Sequence, residues 1–154
     1  MPEDKQKGRC TISAYIQGKT SIRDPECLVE ALKELGWSSE QIEVHHDAVT
    51  LYDYKGKARP EQAEVVIRRK HISGASNDMG FARQADGTFN TIVSQYDRRF
   101  LATRHGSELG ADFATRVSTL ATVIAAEKQM RLKGLFPQRH VEGTKITITG
   151  TRKF

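Results

Sequence analysis

Three short stretches of the chain gather side chains that can do chemistry. The first is His45-His46 with Asp47 beside it. Imidazoles bind metals and move protons near neutral pH. Adjacent residues of a strand point to opposite faces, so this pair alone chelates one ion poorly, and His71 or Asp78 would have to converge on it in space. Solvated or half-buried histidines are the expectation, with no metal and no cofactor.

The second stretch is Arg68-Arg69-Lys70-His71, followed by Gly74 and Asn77-Asp78. Cationic side chains attract oxyanions, and Gly74 with Ser73 and Ser76 offers backbone N–H groups to a phosphate. On a strand, however, Arg68 and Arg69 face opposite ways, which halves any basic patch. The spacing matches neither the P-loop nor the dinucleotide fingerprint. A loop between two strands is expected here, with Arg68, Asn77 and Asp78 as candidate binding residues.

The third stretch is Ser94-Gln95-Tyr96-Asp97-Arg98-Arg99. Tyr96, Asp97, Arg98 and Arg99 combine a phenol, an acid and two guanidinium groups, and Tyr and Arg are favoured where proteins meet. A structural role fits equally, with Asp97 pairing Arg98 or Arg99 over a packed Tyr96. The chain has no G-x-S-x-G elbow, no H-E-x-x-H helix and no Walker motif, and it lacks the aromatic ribonucleoprotein signature.

These stretches need a scaffold. Thr11–Ile16 reads as a strand with Ile12, Ala14 and Ile16 on one face, followed by a loop from Gly18 to Arg23. Asp24-Pro25-Glu26 opens a helix: Asp24 accepts from the first free N–H groups, Pro25 suits the first turn, and Glu26 meets the positive end of the dipole. Leu28, Ala31, Leu32 and Leu35 share one stripe, and Gly36 is placed to end the helix.

Strands are then expected at Gln41–His46 and Val49–Tyr54, a turn at Lys55–Pro60, and a central strand at Glu64–Arg69. The clearest hairpin joins Met79–Gln84 to Thr88–Val93 through Asp86-Gly87. A long helix is expected from about Glu108 to Lys133, with Leu109, Phe113, Val117, Leu120 and Ile124 on its apolar face. Two strands, Gln138–Val141 and Thr144–Thr149, close the chain around Glu142-Gly143. This order predicts an α+β fold, an antiparallel sheet with two main helices on one face, ferredoxin-like in general character.

The chain has 154 residues, 38% hydrophobic and 28% charged. It is expected to form a single domain over residues 10–154, after a flexible N-terminal segment of residues 1–9. No run approaches the roughly 18 apolar residues of a membrane span, and the polar start does not resemble a secretory signal. A cytoplasmic location is expected, or the plastid stroma for a plastid-encoded chain, with no membrane contact. Cys10 and Cys27 form no C-x-x-C pair and are expected to be reduced thiols.

The net charge of +5 is unevenly placed. Residues 1–77 carry 12 basic and 12 acidic side chains, whereas residues 98–154 carry 11 basic against 4 acidic. This surplus makes Arg98, Arg99, Arg104, Lys128, Arg131 and Lys133 candidates for contact with nucleic acid.

Taken in order, Leu28–Trp37, Leu51-Tyr52-Asp53-Tyr54-Lys55-Gly56, Val65-Val66-Ile67-Arg68-Arg69, Asn77-Asp78-Met79-Gly80-Phe81, Asp86-Gly87 and Ser94-Gln95-Tyr96-Asp97 resemble a known pattern. The chain resembles domain of unknown function 1257, the family of the hypothetical chloroplast reading frame 35 proteins, over roughly residues 10–150. The resemblance implies a small protein without an assigned activity, encoded in some genomes near ATPases of the AAA class. It supplies no catalytic residues. The longer polar start and the length from Arg98 to Glu108 depart from the family pattern.

Three functions follow as expectations. The first is an accessory or adaptor protein acting through a protein partner, with an AAA-type ATPase as the implied candidate. The second is a nucleic-acid-binding accessory protein using a basic C-terminal face. The third is an enzyme using His45, His46 or His71 with Asp78 or Asp97. No oligomeric state follows from the sequence.

Overall fold

The computed structural model describes residues 9–14 (backbone), 22–94, 96–97, 101, 113–143 and 145–152. The expected flexible segment therefore lies outside the described residues save for Arg9, as do the expected loop residues 18–21 and Leu109 of the expected helical stripe.

Asp24 begins the first helix as its residue type requires. Its Oδ1 accepts from the Glu26 N–H at 2.9 Å, and Pro25 occupies the first turn of α1, Pro25–Glu34. The apolar stripe buries Cys27, Leu28, Ala31 and Leu32. Gly36, at φ +120°, turns the chain out of the helix, and the Trp37 N–H closes the end on the Leu32 carbonyl at 3.2 Å.

The strands are β1 (Arg9–Ala14), β2 (Glu43–Tyr52), β3 (Ala58–Ile67), β4 (Met79–Arg83), β5 (Phe89–Ile92), β6 (Leu135–Glu142) and β7 (Lys145–Arg152), with α2 (Phe113–Leu132) between β5 and β6. Among the described residues all strand pairing is antiparallel, and the class is α+β with two main helices. The strands divide into two sheets, β2-β3-β4-β5 and β1-β7-β6.

Two expected segments, Gln41–His46 and Val49–Tyr54, merge into the single strand β2. The break in their pattern is real but smaller than a loop. Val44 pairs with Val65 and Val49 with Ala63, so β2 spends five residues where β3 spends two. This bulge holds His45, His46, Asp47 and Ala48, and the polar run His45-His46-Asp47 interrupts the alternation that the sequence showed. The last hairpin is longer than expected. It starts at Leu135 and takes Pro137 into β6, an edge strand, where a missing N–H can face away from the ladder.

One core joins both sheets and both helices. Val65, Ile67, Met79 and Phe81 of the larger sheet and Ile146 and Ile148 of the smaller one cluster with Leu28, Ala31 and Leu32 of α1 and Phe113, Val117, Leu120 and Val123 of α2. Trp37 meets Phe113 edge-on at 5.7 Å and donates its indole N–H to the His71 carbonyl at 3.1 Å. That bond fixes the loop after β3 to the helical layer. The other face of the larger sheet carries a small cluster of Leu51, Ala63 and Val66. Among the described residues, no helix is long and apolar enough to cross a membrane.

Ion pairs lock the helices together. Arg139 of β6 reaches Glu127 of α2 at 2.7 Å and Glu34 of α1 at 2.9 Å, while Lys128 reaches Asp24 at 3.2 Å and Glu26 at 3.1 Å.

Candidate functional site

β3 ends at Ile67, before the two arginines. Arg68 lies in the extended residue that follows, and Arg69 opens a short 3-10 turn, Arg69–His71. The change of backbone direction removes the alternation that a strand would impose, so Arg68 and Arg69 both line one cleft of about 520 Å³. Its other walls are Tyr52, Gly56, Lys70, Ser73, Gly74 and Asp78.

The inner wall is a clamp. Arg68 donates through Nε to Glu43 Oε2 at 2.8 Å, through Nη2 to Glu43 Oε1 at 3.1 Å, and through Nη1 to Asp78 Oδ2 at 2.9 Å and the Thr50 carbonyl at 3.0 Å. Asp78 is 2% exposed. Its Oδ1 accepts from the Arg69 N–H at 2.8 Å, and its Oδ2 also accepts from the Tyr52 N–H at 2.9 Å. The hydrogen-bonded Arg68 guanidinium draws the Glu43 carboxyl below its ordinary pKa against the opposing effect of burial, and His45 assists. Glu43 in turn raises Arg68 above the ordinary guanidinium value, with Asp78 helping.

A second layer of bonds runs outward from the clamp. Asn77 Oδ1 accepts from the Tyr54 N–H at 3.0 Å, and the Asn77 N–H donates to Asp97 Oδ2 at 3.1 Å. Asp97 Oδ2 also accepts from the Ser94 hydroxyl at 2.6 Å, and Asn77 Nδ2 reaches the same hydroxyl at 3.1 Å. Asp97 is buried, and its Oδ1 has no hydrogen-bond partner among the described residues. Tyr96 beside it is exposed rather than packed beneath. Arg98, Arg99 and Arg104 lie outside the described residues.

The structure thus brings Arg68, Asn77, Asp78 and Asp97 into one network, in which their polar atoms hold loops together. Sequence reasoning missed the outer rim. Tyr52 and Tyr54 are exposed, with Arg68 5.9 Å from the Tyr52 ring centre and Lys55 5.5 Å from that of Tyr54. The available signal was a pair of tyrosines two residues apart running into Lys55-Gly56-Lys57.

The other candidates are dispersed. His45 Nε2 lies 2.8 Å from Glu43 Oε1, while His46 is fully exposed beside Asp47 at 3.2 Å. Among the described residues, no three His, Cys, Asp or Glu side chains are grouped as metal ligands. Cys27 is buried beside Asp24, and its thiol pKa is pushed up to about 11, by burial first and by the Asp24 charge second. On α2 and just beyond it, Arg131 and Lys133 are exposed, but Lys128 is held by two carboxylates.

Comparison of the chain with family models, with curated proteins and with solved structures finds no match.

Proposed function

We propose that the chain is an accessory or adaptor protein that binds a protein partner through the rim of this cleft. One observation carries the reading: Tyr52, Tyr54 and Tyr96 are 41%, 52% and 57% exposed around a network in which Arg68, Glu43 and Asp78 already satisfy one another. Tyrosines on a fixed frame supply large contact area at small entropic cost, which is what a docking surface needs. The resemblance to domain of unknown function 1257 makes an ATPase of the AAA class the candidate partner. Support against a catalytic role comes from Asp78, whose two oxygens are both engaged by N–H donors rather than left for a substrate.

A second reading is a nucleic-acid-binding accessory protein. It is favoured by Arg69 and Lys70 sharing the cleft with the exposed Tyr52 and by Lys55 over the Tyr54 ring, since cations track phosphates and aromatic rings stack on bases. Arg131 and Lys133 remain its candidates on the C-terminal side, with Arg98, Arg99 and Arg104. Lys128 contributes less there, because its charge faces Asp24 and Glu26.

The test is a tagged pull-down from host extract with the wild-type chain and with the Tyr54→Ala/Lys70→Glu double variant. Mass spectrometry identifies proteins, and ultraviolet absorbance detects nucleic acid. A stoichiometric protein bound by the wild type and lost by the variant supports the adaptor reading. Equal recovery by both chains removes the cleft from the interface. Nucleic acid released steeply by salt puts the second reading first.

A further inference from the structure

Arg69 differs from its neighbour in what it leaves open. Arg68 has all three of its nitrogens engaged, whereas Arg69 is anchored at two points and otherwise free. Its backbone N–H is held by Asp78 Oδ1 at 2.8 Å, and its Nη1 donates to the Tyr54 carbonyl at 2.7 Å. Among the described residues, its Nε and Nη2 have no acceptor. Those two nitrogens form the edge of a guanidinium that grips an oxyanion through two parallel bonds.

The surroundings keep that edge in place. Gly56 is required by its φ of +79°, and its Cβ position lies at ordinary contact distance, 3.5 Å, from Arg69 Nη2, so this edge borders the turn. Lys70 is exposed and makes no ion pair among the described residues. Gly74, across the cleft, has open space where a side chain would stand, which lets a ligand approach its backbone. The acid in the wall, Asp78, spends its charge on Arg68 and on two backbone N–H groups. Arg68 sits between two carboxylates, so the clamp itself carries a net negative charge, and Arg69 and Lys70 bring two cationic side chains to the lining of the cleft.

We propose that this cleft is an oxyanion subsite for a phosphate monoester, held through Arg69 Nε and Nη2 with Lys70 at the rim. The inference rests on the reading that the cleft docks a protein. On that reading the phosphate belongs to a phosphorylated side chain of the partner, with Tyr52 and Tyr54 covering the residues beside it. A dianion suits two cations better than a neutral side chain does, and the guanidinium is already fixed by the Tyr54 carbonyl, so little ordering remains to oppose binding.

The experiment is a titration of the purified full chain, followed by amide chemical shifts, with inorganic phosphate, with an O-phosphoserine peptide and its unphosphorylated twin, and with adenosine monophosphate. Saturable shifts at Gly56, Arg69, Lys70, Ser73 and Gly74 are expected with inorganic phosphate. The phosphoserine peptide should bind more tightly than phosphate, and the unphosphorylated peptide should not bind.

Arg69→Gln should weaken phosphate binding roughly tenfold to a hundredfold, the usual worth of a charge-assisted pair. That variant also loses a contact to Tyr54, so Lys70→Gln, which breaks no internal bond among the described residues, is the second variant and should weaken binding severalfold with an unchanged melting temperature. Absence of saturable shifts, or equal affinity in both variants and the wild type, overturns the subsite. Tighter binding of adenosine monophosphate than of the phosphopeptide overturns the assignment to a phosphorylated side chain. The docking reading fails separately, when the pull-down returns the same partner with and without the rim residues.

Discussion

Arg68 and Asp78 meet at 2.9 Å in a pairing where one partner is almost wholly removed from water: Asp78 is 2% exposed, and the Arg68 side chain 23%. A buried carboxylate is costly unless its lone pairs are taken up, and here Arg68, the Tyr52 N–H and the Arg69 N–H take them. The pair therefore fixes the end of β2 and the start of the loop after β3 in one step. Asp78→Ala should leave two backbone N–H donors and one Arg68 N–H without their acceptor, while Glu43 still pairs the Arg68 charge. A loss of about 1–3 kcal/mol is expected in urea denaturation, and a loss under about 1 kcal/mol would show that water replaces the carboxylate.

The same clamp predicts an acid-sensitive stability. Glu43 has its pKa lowered in the folded state, chiefly by the hydrogen bond from Arg68. A depressed carboxylate contributes stability above its unfolded pKa and loses it as pH falls through the folded value. Wild type should therefore exceed Glu43→Gln in urea midpoint above about pH 5. The two midpoints should converge as the solution is acidified, and parallel curves down to low pH would remove Glu43 from the acid response.

The two ion-pair locks between the helices should differ in weight. Glu127 is 7% exposed and is paired with Arg139 through two bonds, of 2.7 and 3.0 Å. Arg139→Ala leaves that carboxylate uncompensated and should cost about 2–3 kcal/mol. Lys128 is open to solvent, so Lys128→Ala should leave the denaturation midpoint unchanged within error, although its pKa is raised by Glu26 and Asp24. Equal effects of the two substitutions would contradict this burial argument.

Gly80 is fixed by contact rather than by φ. A Cβ there would come within 2.6 Å of Ala63 Cβ and 3.0 Å of Leu51 Cδ1, in the small cluster on the far face of the larger sheet. Gly80→Ala should destabilise the chain by about 1–3 kcal/mol. The Gly80→Ala/Ala63→Gly double variant should recover part of that loss in the same denaturation experiment. No recovery would place the strain elsewhere.

Local chemistry made much of the scaffold legible. Asp24-Pro25-Glu26 announces the start of α1 because capping involves atoms within a few residues of one another. Asp86-Gly87 announces the β4–β5 turn, where Gly87 takes φ +87°. Phe113, Val117 and Leu120 announce the buried face of α2, because helical period alone decides which side chains share a side. The β2 bulge was less legible: a polar interruption looks alike whether the chain leaves the sheet or only slips in register.

The candidate site was legible as residue types and not as roles. Arg68, Asn77, Asp78 and Asp97 stood out as polar residues in loop positions, and all four are joined by hydrogen bonds in the folded chain. What the sequence by itself determined were the features set by neighbours a few residues away: the helix start, the hairpin turn and the two-helix α+β order. Only the tertiary structure decided that Arg68 is spent on Glu43, 25 residues away, and that Arg69 keeps an edge with no acceptor among the described residues. It likewise placed Lys128 against Asp24, 104 residues away. The reason is that a charged group's role depends on which partner reaches it first in space, and that depends on where packing of the apolar core carries distant segments.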